Sequence, residues 1–273
     1  MTPVLTYYSL CRSVTAFSTT RQGGVSQGNY ASLNVNAFCG DTPEAVSENR
    51  RELCRQLGLA DAGKLVIPHQ VHGTEVLQLA ADFFSRPEAE RQAMLEGIDA
   101  VMTDVSNVCI GVSTADCIPL ILYDPEHHCA ATIHAGWRGT VACIAEKTLD
   151  RMVRVYHSRP EKLQAVIGPG ISLKNFEVGQ DVYEQFGNQA SGGSQIAFRL
   201  PASGYQKDGG LLTWHIDLPR CNRLQLQGRG ILPENIYDCG ICTYDHADQY
   251  FSARRLGISS GRIFTGIVLH EKE

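Results

Sequence analysis

The sequence predicts an α/β fold built as a single domain. Strand-like and helix-like segments alternate along the chain, the pattern of helices packed on sheets. With 273 residues, 43% hydrophobic and 19% charged, the chain supports a sizeable core. No stretch has the composition of a linker, so one domain spanning residues 1–273 is expected.

The elements follow in order. TTRQGGVSQGNYASLNVNAFCGDTP (19–43) is rich in Gly, Asn, Ser and Thr and reads as loops and turns. Pro43 to Leu57 reads as a helix, capped by Thr42, started by Pro43 and ended by Gly58. KLVIP is a short apolar piece running into HQVHG, and TEVLQLA then alternates like a strand. Phe83 to Gly97 is polar, contains Pro87, and reads as a helix or an excursion. NVCIGVST and IPLILYD are apolar and β-branched; they read as buried strands split by Ala115-Asp116-Cys117. CAATIHAGW is a third strand. TVACIAEKTLDRMVRVY reads as an amphipathic helix, with Val141, Ile144, Thr148, Leu149 and Met152 on one face. LQAVIGPGI is a strand stopped by Gly168-Pro169-Gly170, and FEVGQDVYEQF turns helical in its second half. Ser191 to Gly210 is Gly/Ser-rich and reads as a loop, a candidate lid. HIDLPRCNRLQLQGRG reads as a helix closed by Gly228, and IYDCGICTY and RIFTGIVL as the last strands.

The net charge of −5 gives no broad attraction for nucleic acid or an anionic membrane, so neither is an expected partner. MTPVLTYYSLCRS lacks a basic stretch ahead of a long apolar run and reads as no secretion signal. No apolar run approaches the roughly 18 residues of a membrane span. A cytoplasmic chain is expected, in which the ten cysteines are reduced and mostly serve as small buried apolar residues.

Three motifs carry reactive side chains beside tight-turn residues: HQVHG with His69 and His72, TADC with Asp116 and Cys117, and HAGWRG with His134 and Arg138. Taken singly, each reads as structure. A buried His hydrogen-bonds, a strand-end Cys packs, and Gly136 and Gly139 shape a turn. As a set they read as chemistry, because strand-end loops are where α/β folds keep it. Three centres fit. Two His and one Cys make a zinc site with an open fourth position, where bound water ionises near neutral pH. Cys117 with a neighbouring His makes a nucleophile–base pair oriented by Asp116 or another carboxylate. His₂Cys also suits copper, although the sequence has no His-x-His pair and four methionines. Cys239-Gly-Ile-Cys242 has no second C-x-x-C to complete a structural zinc site and reads as buried strand. His127-His128 fall in a surface turn after Asp-Pro-Glu. Arg138, Arg254, Arg255 and Arg262 have the forked geometry that suits phosphate or carboxylate. No P-loop and no G-x-G-x-x-G occurs.

These motifs together resemble the YfiH family. The resemblance runs over nearly the whole chain: TTRQGGVS, YASLNVN, GDTPEAVSENRREL, HQVHGTEV, DAVMTD, STADCIPLILYD, HAGWRGTV, IGPGISLKNFEVGQDV, DLPRCNR, CTY and FSARRLGISSGR. It implies a single-domain, mixed-sheet α/β sandwich. It also implies one zinc on His72, Cys117 and His134, with His69 shaping the loop or supporting the site, and Asp116, Arg138 and Arg255 as substrate-binding candidates. Family members are credited with phosphorolysis of adenosine, inosine, guanosine and methylthioadenosine, with adenosine deamination, and with removing L-Ser from UDP-muramoyl precursors. The implied partners are therefore small molecules: a purine nucleoside with phosphate, or a UDP-muramoyl precursor. A monomer is expected. The family's laccase label requires several coppers, for which the sequence supplies too few ligands.

Overall fold

A computed structural model describes residues 2–187, 193–202 and 212–271. Two mixed sheets lie face to face. One has five strands in the order Leu5–Tyr8, Val14–Thr19, Ile263–Leu269, Cys109–Thr114, Leu65–Val66. The other has six, in the order Ile236–Asp238, Gln164–Ile167, Ile118–Asp124, Cys129–Ala135, Ala100–Thr103, Val76–Leu79.

Period-2 alternation explains the layering. On Ile118–Asp124, Leu120 and Leu122 point to one core cluster, while Ile121 and Tyr123 point to another. The second cluster lies between the sheets, where Ile121 and Tyr123 meet Val14, Ala16, Ile110 and Ile267. The first lies under the helices Ile144–Tyr156 and Leu218–Gly228, which contribute Ile144, Leu149, Met152, Cys221 and Leu226. On the far side of the five-stranded sheet, Phe17, Cys109 and Phe264 pack against Leu53 and Cys54 of the helix Pro43–Leu57. The result is four layers, helix on sheet on sheet on helix. All seven residues of IPLILYD are buried because both faces of that strand are covered.

The helix Pro43–Leu57 has the predicted ends. Thr42 accepts from the Ala45 N–H, and Gly58 closes it at φ 69°. Four expectations need correction. The strand expected over IYDCGICTY ends at Asp238, so Cys239 lies beyond it and Cys242 sits in an isolated bridge to Gly170. The helix expected over 140–156 is two helices, Trp137–Val141 and Ile144–Tyr156. The chain breaks at Cys143, with φ 59°, and Gln225 Nε2 donates to the Thr140 carbonyl at 2.8 Å. His215 and Ile216 belong to the strand Leu212–Ile216, and the helix begins at Leu218, capped by Asp217, which accepts from the Arg220 N–H. Part of the Ser191 to Gly210 loop is ordered: Gly193–Ile196 is helical, and Ala197–Pro201 is a strand pairing with Leu212–Ile216. The rest of the proposed lid, 191–192 and 203–210, lies outside the described residues. No helix among the described residues is long and apolar enough to cross a membrane.

Candidate metal centre

Strand pairing brings the second and third motifs together. Ile118 pairs with Ala135, so Cys117 and Gly136, one residue beyond each strand end, are neighbours. His134 is the next-to-last residue of its strand, Cys129–Ala135, 3% exposed. The first motif arrives from the loop after Leu65–Val66, and two side chains dock it. Gln70 donates from Nε2 to the Ser113 carbonyl at 2.9 Å and accepts from the Ser113 N–H at 2.7 Å, extending the strand ladder with an amide side chain. Asp99 accepts from the backbone N–H groups of Val71, His72 and Gly73 at 3.2, 3.0 and 2.7 Å. These bonds hold His72 at φ 62°, a left-handed conformation uncommon for a residue with a side chain.

One ligand atom from each of His72, Cys117 and His134 lies within 4.8 Å of the others. Among the described residues this is the one group of three or more His, Cys, Asp or Glu side chains gathered closely enough to hold an ion. The two imidazoles meet edge to face, with centroids 4.7 Å apart. Gly136 leaves the middle open: a Cβ there would lie 2.9 Å from His72 Cδ2, 3.0 Å from Cys117 Sγ and 3.6 Å from His134 Nε2. His134 Nδ1 donates to Asp99 Oδ1 at 2.7 Å, which leaves Nε2 facing its two companions. A carboxylate behind a ligating imidazole fixes its tautomer and raises its basicity.

The electrostatics agree. Burial pushes the Cys117 thiol up, but the neighbouring His134 charge and hydrogen bonds from His134 and His72 outweigh it and hold the thiol down at about 6. Burial lowers the His134 imidazolium, yet Cys117 and Asp99 raise it to about 9. The pair therefore favours thiolate beside imidazolium, and a thiolate is the ligand and nucleophile form of cysteine. Burial also pushes the Asp99 carboxyl up, and the His134 and backbone hydrogen bonds more than offset this.

The group lines a cleft of about 390 Å³ that also includes Asn36, Phe38, Ser113, Thr114, Arg138 and Arg262. Arg138 comes to this cleft with its guanidinium stacked over the Trp137 ring at 4.2 Å. The other proposed substrate-binding residues are placed differently. The Asp116 carboxylate is consumed by the fold: Oδ1 accepts from the Thr243 hydroxyl at 2.7 Å, and Oδ2 from the Arg254 N–H at 2.6 Å. At φ 85° it shapes the turn that presents Cys117. Arg255 is over the Tyr244 ring at 5.0 Å and does not line the cleft. The Arg254 guanidinium donates to the Glu177 carbonyl, and Arg262 donates to the Ser260, Gly261 and Ile258 carbonyls. His69 is not among the three candidate ligands: its Nδ1 bonds Glu96 at 2.6 Å, and its ring stacks on Phe38.

Asp99 is the residue that reading the sequence missed. It stands in DAVMTD, inside an apolar run, and only its burial with four N–H donors reveals it. No disulfide joins Cys239 and Cys242; Cys242 instead accepts from the Asn175 amide. His127 bonds the buried Asp124 at 2.8 Å, and His128 bridges the Tyr123 hydroxyl and the His270 carbonyl. Those two histidines pin a turn far from the cleft.

Residues 15–270 match the protein family described as multi-copper polyphenol oxidoreductase laccase. The chain is 43% identical over 259 residues to a purine nucleoside phosphorylase of Bacteroides thetaiotaomicron, covering 95% of this chain and 93% of that protein. It is 39% identical over 254 residues to adenosine deaminase RL5 from an unknown prokaryotic organism, covering 93% of each. Among solved structures it resembles the protein YfiH of Bacillus licheniformis, with a TM-score of 0.83, 28% identity, and 94% of this chain and 92% of that one covered.

Proposed function

Because the chain belongs to the YfiH family, the family described as multi-copper polyphenol oxidoreductase laccase, we propose that it is a zinc-dependent purine nucleoside enzyme. Its reactions would be phosphorolysis of purine nucleosides and deamination of adenosine. The observation that carries this reading is the three-donor group on an open cleft, in a chain 43% and 39% identical to a purine nucleoside phosphorylase and an adenosine deaminase.

The donors fit zinc. A thiolate and two imidazole nitrogens are zinc ligands, and three of them leave a position for water or substrate. The space that a Cβ at Gly136 would fill is bounded by all three side chains. Several coppers would need further donors nearby, and the single group among the described residues supports one ion. When bound, zinc would supply a Lewis acid and a water acidified to near neutrality.

The protein's own residues would do the rest. Asp99 holds His134 in the tautomer that presents Nε2, and fixes the His72 backbone. The Arg138 guanidinium rests on the Trp137 ring and makes no hydrogen bond or ion pair among the described residues, so its fork of N–H donors is available to an anion. In phosphorolysis, a phosphate oxygen bonds to C1′ as the C1′–N9 bond breaks, and the base leaves with the electron pair and takes up a proton. Arg138 would hold the incoming phosphate. In deamination, water replaces the amine at C6 and ammonia leaves; no phosphate takes part.

The test is chromatography of products from zinc-loaded protein and adenosine, with and without phosphate. Adenine plus ribose 1-phosphate, formed only with phosphate, marks the phosphorylase, and inosine marks the deaminase. Cys117→Ala should abolish both. Arg138→Gln should raise KM for phosphate about tenfold or more while leaving inosine formation in place. No product from any purine nucleoside at full zinc occupancy would overturn the reading and move it to the serine-containing UDP-muramoyl precursor.

A further inference from the structure

We propose that Phe38 is the stacking platform for the purine ring, with His69 as its backing layer. This rests on the purine nucleoside reading and adds what recognises the base. The argument starts from an exposed aromatic. Phe38 is 51% exposed, and among the described cleft-lining residues it is the one Phe, Tyr or Trp. One face of its ring is covered by the His69 imidazole, with centroids 4.2 Å apart and planes 20° from parallel. At half exposure the ring keeps accessible surface for a flat partner.

The platform is held rigidly. The Phe38 N–H donates to Asn36 Oδ1 at 2.7 Å, and the Tyr30 hydroxyl donates to the Cys39 carbonyl at 3.0 Å. Behind it, His69 is fixed through Nδ1 to Glu96 at 2.6 Å. Its backbone N–H also donates to the Leu95 carbonyl, and its carbonyl accepts from the Gly97 N–H. HQVHG thus divides its histidines between two tasks, with His72 at the metal centre and His69 behind the ring that faces the base. Phe38 and His69 are also the two residues that line both the catalytic cleft and a neighbouring cavity of about 610 Å³. The platform therefore borders both spaces.

Stacking on an aromatic face recognises a flat ring and tolerates changes at its edge. A site built this way accepts adenine, hypoxanthine and guanine alike. It also lets one nucleoside occupy two registers, with C6 of the base or C1′ of the ribose toward the metal centre.

The experiment compares wild type, Phe38→Leu and Phe38→Trp, all zinc-loaded, in adenosine turnover and in quenching of 2-aminopurine riboside fluorescence. Phe38→Leu keeps an apolar side chain at an exposed position and removes the π-face. It should raise KM for adenosine and Kd for the fluorescent nucleoside about tenfold, with kcat within about twofold and the zinc content unchanged. Phe38→Trp should restore both. Inhibition by ribose 1-phosphate, which has no base, should be equal in all three proteins. Unchanged KM and quenching in Phe38→Leu, with wild type active, would overturn the platform and leave the nucleoside reading standing. Loss of ribose 1-phosphate inhibition together with KM would mark a general distortion of the cleft and also overturn it. A wild type that neither binds nor converts purine nucleosides would overturn both.

Discussion

Asp99 Oδ1 accepts a hydrogen bond from His134 Nδ1 at 2.7 Å, with both side chains buried. The same carboxylate takes the N–H groups of Val71, His72 and Gly73. One buried charge therefore positions two of the three candidate ligands, one through its ring and the other through its backbone. Asp99→Asn puts an amide NH₂ where one oxygen had faced N–H donors. We expect zinc affinity to fall about 10–100-fold, read by competition with a chromophoric chelator. Unchanged affinity would mean that the carboxylate is a loop anchor alone.

Gly136→Ala tests the cradle by sterics. Gly136 has φ −66°, so alanine brings no backbone strain, and the clash is with the donor side chains alone. The methyl would meet His72 Cδ2 at 2.9 Å and Cys117 Sγ at 3.0 Å. Zinc content after dialysis should drop to less than about a tenth of wild type, a loss of the size seen when ligand support is removed. The far-UV circular dichroism spectrum should be unchanged. Full zinc occupancy would show that the ion sits elsewhere.

Metal removal should expose a reactive thiolate. The folded Cys117 pKa of about 6 lies below the ordinary thiol value, so its charge stabilises the fold in full above about pH 9, and that contribution is lost as pH falls through about 6. His134 runs the opposite way: raised to about 9, its contribution is complete below about 6.5 and lost as pH rises through about 9. The ion pair therefore belongs to the window between about 6 and about 9. Iodoacetamide should label Cys117 in stripped protein with a half-maximal rate near pH 6, and zinc should suppress the labelling. A rate that rises only near pH 9 would contradict the pairing.

The Gly- and Asn-rich segment that carries Asn36, Phe38 and Cys39 is fixed by Asn49, which is 1% exposed. Its Nδ2 donates to Ser26 Oγ, the Ser32 carbonyl and the Asn34 carbonyl, and its Oδ1 accepts from the Val25 N–H. Asn49→Ala leaves buried backbone groups unpaired, a penalty of about 2–4 kcal/mol. Chemical denaturation should show that loss, and KM for adenosine should rise because the loop bearing Phe38 loosens. Stability within about 0.5 kcal/mol of wild type would refute this account.

Much of this protein was legible before its fold. Interleaved apolar strands and helices gave the α/β class. Thr42, Pro43 and Gly58 gave one helix its ends. HQVHG, TADC and HAGWRG gave a pool of candidate donors, because sulfur and imidazole beside strand-end turns stand out as a set, and the resemblance to the YfiH family implied which three would be ligands. These are local signals, written in adjacent residues. The break at Cys143 was not legible, since nothing in TVACIAEK shows that Gln225, far along the chain, takes the Thr140 carbonyl.

The sequence by itself thus determined the class of fold and the chemical types at the site, because periodicity and residue chemistry are properties of short stretches. Only the tertiary structure decided which neighbours each side chain meets. It turned Asp116 into a turn brace, made Asp99 the partner of His134, placed Arg138 and not Arg255 on the cleft, and sent His69 to Phe38. Those outcomes depend on strand register and on burial between residues tens of positions apart. The physical reason is that a charge or a ring takes its role from the groups that satisfy it, and folding selects those groups.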